Sequence, residues 1–299
     1  MNWFWLSLTA VFFWSASDVT SKIGSKPEEK TSHWRMVIAV GLVMGLHAIF
    51  MIATGTEFHV RDIITYLPAS FCYILSMILG YVGLRYIELS LSTPICNCSG
   101  AVAAVLCFIF LRQTMASLQL VAVVMIVGAI FAFGVIEKNE DPALREASGI
   151  FRDIKYQKSA LALILPLLYC ILDGLGTFVD ALLLDTVIAE EQANIAYELT
   201  FLAMAVFAYI YVVFVKKEKF PRAYEGPKFI AAITETAGQF AYIYALGANA
   251  IVAAPMISSY CLFSVIWSRI FLHEKLEMKH YVTIAVAVVG IIILGMEGE

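Results

Sequence analysis

Apolar runs of about twenty residues recur along this chain from end to end, and each is long enough to cross ~30 Å of hydrocarbon as a helix. Ten can be placed, at approximately 3 to 23, 32 to 54, 62 to 86, 90 to 111, 117 to 136, 158 to 184, 192 to 215, 227 to 246, 250 to 272 and 278 to 296. The first run has no basic leader, already contains Asp18 and is followed at once by a second run, so it reads as a retained helix and not as a cleaved signal. No stretch between the runs is long enough for a soluble domain. Hydrophobic residues make up 61% of the chain and charged residues 15%, with a mean hydropathy of +0.83, far from the balance of a soluble domain. The expected fold is an all-α integral membrane protein with ten transmembrane helices.

The basic residues give an orientation. Of twenty lysines and arginines, sixteen fall in the odd-numbered loops, among them Lys22, Lys30, Lys155, Lys217, Lys228 and Lys279, and only Arg61 and Arg112 lie on the other side. By the positive-inside rule the odd-numbered loops are cytoplasmic and both termini face out, across a cytoplasmic (plasma) membrane. The six cysteines all fall inside spans without a CxxC pair or metal-type spacing, so they read as small buried hydrophobes. No cofactor, metal or nucleic-acid partner is expected.

The chain also repeats itself. "FLRQTM" from Phe110 answers "FLHEKL" from Phe271 at a shift of 161, and the same shift lays Pro94 on Pro255, Asn97 on Ser258 and Tyr81 on Tyr242. Two copies follow, residues 1–137 and 158–299, joined by a linker at 138–157. Each copy holds five spans, an odd number, so the second enters the membrane from the opposite side and the repeat is inverted. Over spans 1 and 6 a slightly different shift lays Trp14 on Tyr169 and Asp18 on Asp173.

Those aspartates stand where charge is costly, roughly 2.5 to 3.5 kcal/mol at a helix centre, so such residues face a cavity or one another. Span 6 carries Tyr169, Asp173, Gly176 and Asp180 on one helical stripe, span 8 carries Glu235, Gln239 and Tyr242, and span 1 carries Trp14 and Asp18. These stripes, with Tyr81 and Asn97, are the candidate substrate-binding residues: Trp14, Asp18, Tyr81, Asn97, Tyr169, Asp173, Glu235, Gln239 and Tyr242. Arg35 and Glu198, aligned across the repeat, are expected to pair with opposite charges near span ends in a structural or coupling role. Asp180, assigned to the same structural or coupling set, is nearest its loop and is placed closer to water. Carboxylates beside electron-rich rings suit a cation.

The pattern resembles the drug/metabolite transporter superfamily in its EamA-like branch. The likeness covers the whole chain: ten spans in two fivefold copies, Trp14, Ser15 and Lys22 in span 1, and the repeated end of the fourth helix, "TPICNCSGAVAAVLCFIFLRQTMASLQ" and "APMISSYCLFSVIWSRIFLHEKLEMKH", with Pro94, Pro255 and Glu274 in register. It departs from the family at Asp18, a position usually apolar, and at Thr93 and Ala254, where the family has glutamate before proline. The family's termini are cytoplasmic, against the charge count here.

The resemblance implies a secondary transporter working by alternating access. The acidic and aromatic stripes point to a small cationic or zwitterionic metabolite, choline-like (a quaternary amine) or amino-acid-like, with protons carried by Asp18, Asp173 or Glu235 as one form of coupling. Pro94, Pro255 and glycines such as Gly80, Gly174 and Gly176 are either bending points or sites of close packing. Export of neutral amino acids or amphipathic drugs is the alternative within the class. A non-transporting scaffold and an intramembrane protease are alternatives outside it. The protease signatures fail at a required residue: "LDGLGT" has Thr177 where an acid is needed, and "HEKLE" has Glu277 where a second histidine is needed.

Overall fold

The apolar runs fold as helices: α1 (Trp3–Gly24), α2 (Ser32–Ala53), α3 (Val60–Tyr86), α4 (Ser99–Phe110), α5 (Ser117–Lys138), α6 (Leu161–Thr186), α7 (Glu190–Ile210), α8 (Arg222–Ser258), α9 (Tyr260–Phe271) and α10 (Met278–Glu297). The computed structural model describes residues 2–25, 29–86, 93, 95–138, 161–218, 222–271 and 277–297, so Pro94, Glu274 and most of the linker lie outside the described residues. Asn2 caps α1, its side-chain oxygen accepting the Phe4 amide at 3.1 Å, and a π-helical turn, Tyr211–Val215, prolongs α7.

Helices and membrane spans are not one to one. Among the described residues six segments are each long and apolar enough to cross a membrane, Ser32–Ala53, Val60–Leu84, Ser117–Ile136, Ile164–Leu184, Glu190–Val215 and Glu225–Phe271, while Ile95–Phe110 and Met278–Leu294 are apolar but shorter. The last of the six, at 47 residues, is long enough for two crossings at about 1.5 Å per residue, and its backbone leaves helical geometry at Asn249 (φ −164°, ψ 79°). The expected eighth and ninth spans thus run together through α8, and the ninth is completed by α9. α1 carries Asp18, Lys22 and six serines and threonines, and it is not one of the six segments.

α1 pairs with α8, α3 with α6, α2 with α7 and α5 with α10. All four pairs are antiparallel. Along α1 and α8, Trp14 meets Gly238, Ser17 meets Glu235 and Gly24 meets Lys228; along α3 and α6, Gly80 meets Tyr169, Ser76 meets Asp173 and Tyr66 meets Asp180. α4 packs on α6 as α9 packs on α1, and α2 on α8 as α7 on α3. Exchanging helices of the first half for those five places on in span order leaves this set of pairings unchanged.

The shift of 161 reaches into local geometry. α4 and α9, related by that shift, each have 12 residues and each begins after the same interruption. The amide of Cys98 bonds to Ile95 O (3.3 Å) and that of Ala101 to Cys98 O (3.1 Å); at the shifted positions Ser259 bonds to Met256 O (3.1 Å) and Leu262 to Ser259 O (3.0 Å). These are three-residue bonds that tighten one turn. Side chains compete for the carbonyls there: Asn97 Nδ2 donates to Thr93 O (2.9 Å) and Ser259 Oγ to Met256 O (2.6 Å). Among the described residues the tightened turns therefore fall at Cys98 and Ser259.

Small residues bring the helices close, as membrane packing requires. A Cβ on Gly100 of α4 would stand 2.1 Å from Ser258 Oγ and 2.7 Å from Ala254 O. Large apolar side chains such as Leu46, Phe50, Phe71, Phe108, Phe131, Phe207 and Phe214 point outward, as a bundle surrounded by hydrocarbon presents them.

Candidate functional site

The helices enclose a cavity of about 100 Å³ between α1, α3, α4, α6, α7, α8 and the start of α9. At the liquid's ~30 Å³ per molecule, a space of that size takes roughly three water molecules. All nine residues singled out from the sequence as substrate-binding lie on its wall: Trp14, Asp18, Tyr81, Asn97, Tyr169, Asp173, Glu235, Gln239 and Tyr242. Helical spacing puts residues on one stripe; the pairings of α1 with α8 and α3 with α6 bring the stripes face to face.

Each carboxylate is held by a hydroxyl from another helix. Ser264 of α9 donates to Asp18 Oδ2 at 2.8 Å. Ser99 of α4 donates to Asp173 Oδ2 at 2.7 Å, with Ser76 of α3 at 3.4 Å from Oδ1. The two aspartates thus meet equivalent helices of the two halves, the serines differing by one helical turn from the shift of 161. Ser17 of α1 donates to Glu235 Oε2 at 2.8 Å. One bond to a neutral hydroxyl leaves most of a carboxylate's acceptor capacity unused. Among the described residues of the wall there is no lysine, arginine or histidine.

Aromatic rings complete the wall. The Trp14 and Tyr242 rings are 4.9 Å apart and tilted by 36°, and Tyr260 meets Trp14 edge-on at 5.6 Å. Trp14 Nε1 donates to the Glu235 carbonyl oxygen at 3.3 Å. Its indole lies across Gly238, where an added Cβ would come within 2.3 Å of the ring, so only glycine lets it lie there without displacement.

The cavity is built differently at its two ends. Toward the C-termini of α1 and α3 it continues along the wall to Ser21 and Leu84, and Lys22 Nζ donates to the Leu84 carbonyl oxygen at 2.8 Å. Toward the opposite end it stops on a buried layer. Asp180 accepts from Tyr66 at 2.6 Å on one oxygen and from Tyr73 at 3.1 Å on the other, the Tyr73 and Tyr242 hydroxyls are 2.6 Å apart, and Tyr242 donates to Thr177 at 3.0 Å. Tyr73, Thr177 and Tyr242 reach the cavity wall while Tyr66 and Asp180 lie beyond it. The expectation that Asp180 sits close to water is corrected: it is 0% exposed, because α3 covers the end of α6 and supplies two tyrosine hydroxyls.

Arg35 and Glu198 are away from the cavity. Arg35 Nη2 and Nη1 each lie 3.1 Å from a carboxylate, of Glu29 and Glu225, and Lys228 Nζ approaches the same two at 3.5 and 3.8 Å. This cluster ties the loop between α1 and α2 to α8, and Thr31 adds a short hydrogen bond to Glu218. Glu198, 0% exposed, receives Asn194 Nδ2 at 3.1 Å and lies 2.8 Å from His47 Nδ1, an α2–α7 link.

Sequence reading missed the serines on the carboxylates, Tyr66 and Tyr73, Tyr260 and His47. One signal was available: Tyr66 and Tyr73 are seven apart, as are Asp173 and Asp180, so one face of α3 matches one face of α6.

A polar cavity held inside a bundle of apolar helices is the build of a membrane transport protein. The sequence gives the particular kind. The model of the EamA-like transporter family matches it twice, over residues 1–135 and 160–296. The chain belongs to the EamA-like transporter family, and so to the drug/metabolite transporter superfamily. A solved structure titled only "Crystal structure of protein" has a TM-score of 0.67 and 11% identity to it, over 98% of this chain and 96% of that one; at that identity the likeness is of fold. Among curated proteins there is no significant match.

Proposed function

We propose that the cavity is the substrate site of a secondary carrier for a small organic cation or zwitterion, worked by alternating access between two five-helix halves, 1–137 and 158–299. One observation carries the reading. Carboxylates from three helices face one aromatic-walled cavity with no basic side chain among its described residues. A cation there is met by Coulomb attraction in a medium of low dielectric and by ring faces at once. The helix pairings, unchanged when the halves are exchanged, support a pseudo-twofold axis in the membrane plane, and with it the inverted repeat. Asp18, Asp173 and Glu235 can also bind a proton in place of substrate, which would couple the two.

The test is saturable counterflow in proteoliposomes with labelled choline, ethanolamine and amino acids. Asp18→Asn and Asp173→Asn each are expected to raise the half-saturation concentration of a transported cation about tenfold, the loss of one charged contact. Unchanged half-saturation in both variants would remove the aspartates from the site. Flux that never saturates would indicate a pore. On the charge count, the end with Lys22 and Lys228 is assigned to the cytoplasm; cleavage of a C-terminal tag by protease added to intact cells is the expected result, and protection would reverse the assignment.

A further inference from the structure

The three carboxylates of the cavity are two of one kind and one of another. Asp18 and Asp173 hold equivalent places in the two halves. Each follows an aromatic residue of the cavity wall by one helical turn, Trp14 or Tyr169. Each receives a serine hydroxyl from the short helix packed on its own, Ser264 of α9 at 2.8 Å or Ser99 of α4 at 2.7 Å. A carboxylate beside a ring is thus present twice. Glu235 has no such counterpart, since the shift of 161 lays it on Ile74.

The two copies face the cavity from separate walls. Among the described residues α1 and α6 do not pack on each other along their length, and α8 touches both. Glu235 comes from that helix; it feels the charges of both aspartates and accepts from Ser17 of α1 at 2.8 Å.

Charge then limits the ligand. A buried carboxylate is costly without a cation or a proton of its own, and the described wall supplies no cation. A ligand with one ammonium meets one aspartate and leaves its twin, built the same way, facing an uncharged tail. A ligand with an ammonium at each end meets both, and its methylene chain lies within the aromatic wall. A proton on Glu235 completes the charge balance.

We infer that the ligand is a linear aliphatic diamine, one ammonium held at Asp18 and the other at Asp173. This rests on the cation reading above and narrows it: a monoamine is the weaker member of each pair of equal chain length, and a zwitterion with a carboxylate at its far end is weaker still.

The experiment is counterflow by the full chain in proteoliposomes. Putrescine and cadaverine are set against butylamine and pentylamine, of the same chain lengths, and against γ-aminobutyrate, which has a carboxylate in place of the second ammonium. Wild type is expected to show a half-saturation concentration about tenfold lower for the better diamine than for its monoamine, one charged contact, and to handle γ-aminobutyrate worst. Asp18→Asn and Asp173→Asn are each expected to remove most of that preference, because each leaves one ammonium without its aspartate. A preference that either variant keeps whole overturns the two-ended assignment. So does a wild type that carries monoamines or choline as well as the diamines, which leaves the cation reading standing; this comparison needs no variant, so an inactive variant does not leave the matter open. If wild type carries no cation of the panel, both readings fall.

Discussion

Replacing Arg35 by methionine is expected to lower the unfolding free energy of the protein in detergent by about 3–5 kcal/mol, the cost of leaving buried charge without its partner. Arg35 is 3% exposed and sits 3.1 Å from carboxylates of both Glu29 and Glu225. With the guanidinium gone, two carboxylates share one ammonium, Lys228, at longer range. The planar fork of arginine meets two carboxylates at once, which a lysine at the same position would not reproduce. Breaking such a cluster costs more than replacing it, so the quadruple variant Arg35→Met, Glu29→Gln, Glu225→Gln, Lys228→Met is expected to recover at least half of the loss. Denaturant or thermal unfolding in detergent measures both. Equal instability of the single and quadruple variants would assign the effect to packing and remove charge pairing as its cause.

The second large effect lies at the other end of the molecule. Asp180→Ala takes the acceptor from two tyrosine hydroxyls, Tyr66 at 2.6 Å and Tyr73 at 3.1 Å, and is expected to cost about 3 kcal/mol in the same unfolding measurement. Tyr73 keeps Tyr242 as a neighbour at 2.6 Å, whereas Tyr66 loses its hydrogen-bond partner, so Tyr66→Phe in the Asp180→Ala background is expected to be nearly neutral. Because this layer closes one end of the cavity, Asp180→Ala proteoliposomes loaded with a carried cation are also expected to lose it faster without external substrate. A variant as stable and as tight as wild type would show that the layer neither holds α3 to α6 nor closes the cavity.

What the sequence disclosed, and what it withheld, follows from range. The shift of 161 was read from Phe110 and Phe271, and it lands on matching tight turns at Cys98 and Ser259 and on helices of equal length. The spacings in spans 1, 6 and 8 identified stripes whose members share one cavity. Periodicity along a helix says which residues share a face; it does not say which face meets which. Hence Ser99 and Ser264, ordinary small residues on helices distant in sequence, could not be matched to Asp173 and Asp18 until the helices were placed. The burial of Asp180 was misjudged for the same reason, since distance from a loop measures depth along one helix and takes no account of Tyr66 on another. Arg35 and Glu198 carried the expectation of opposite charges, and the partners, Glu29, Glu225 and His47, became visible only across helices.

The tight turns at Cys98 and Ser259 have one more consequence. They carry matching three-residue bonds at the same point of each half, a symmetric pair of hinges for the proposed carrier. Under alternating access, the form open to one side would bend one hinge and the form open to the other side its counterpart. Neither form of the proposed carrier would then be favoured by its hinge. Net movement in the proposed carrier would then run down whatever gradients its solutes present, inward or outward by the same machinery.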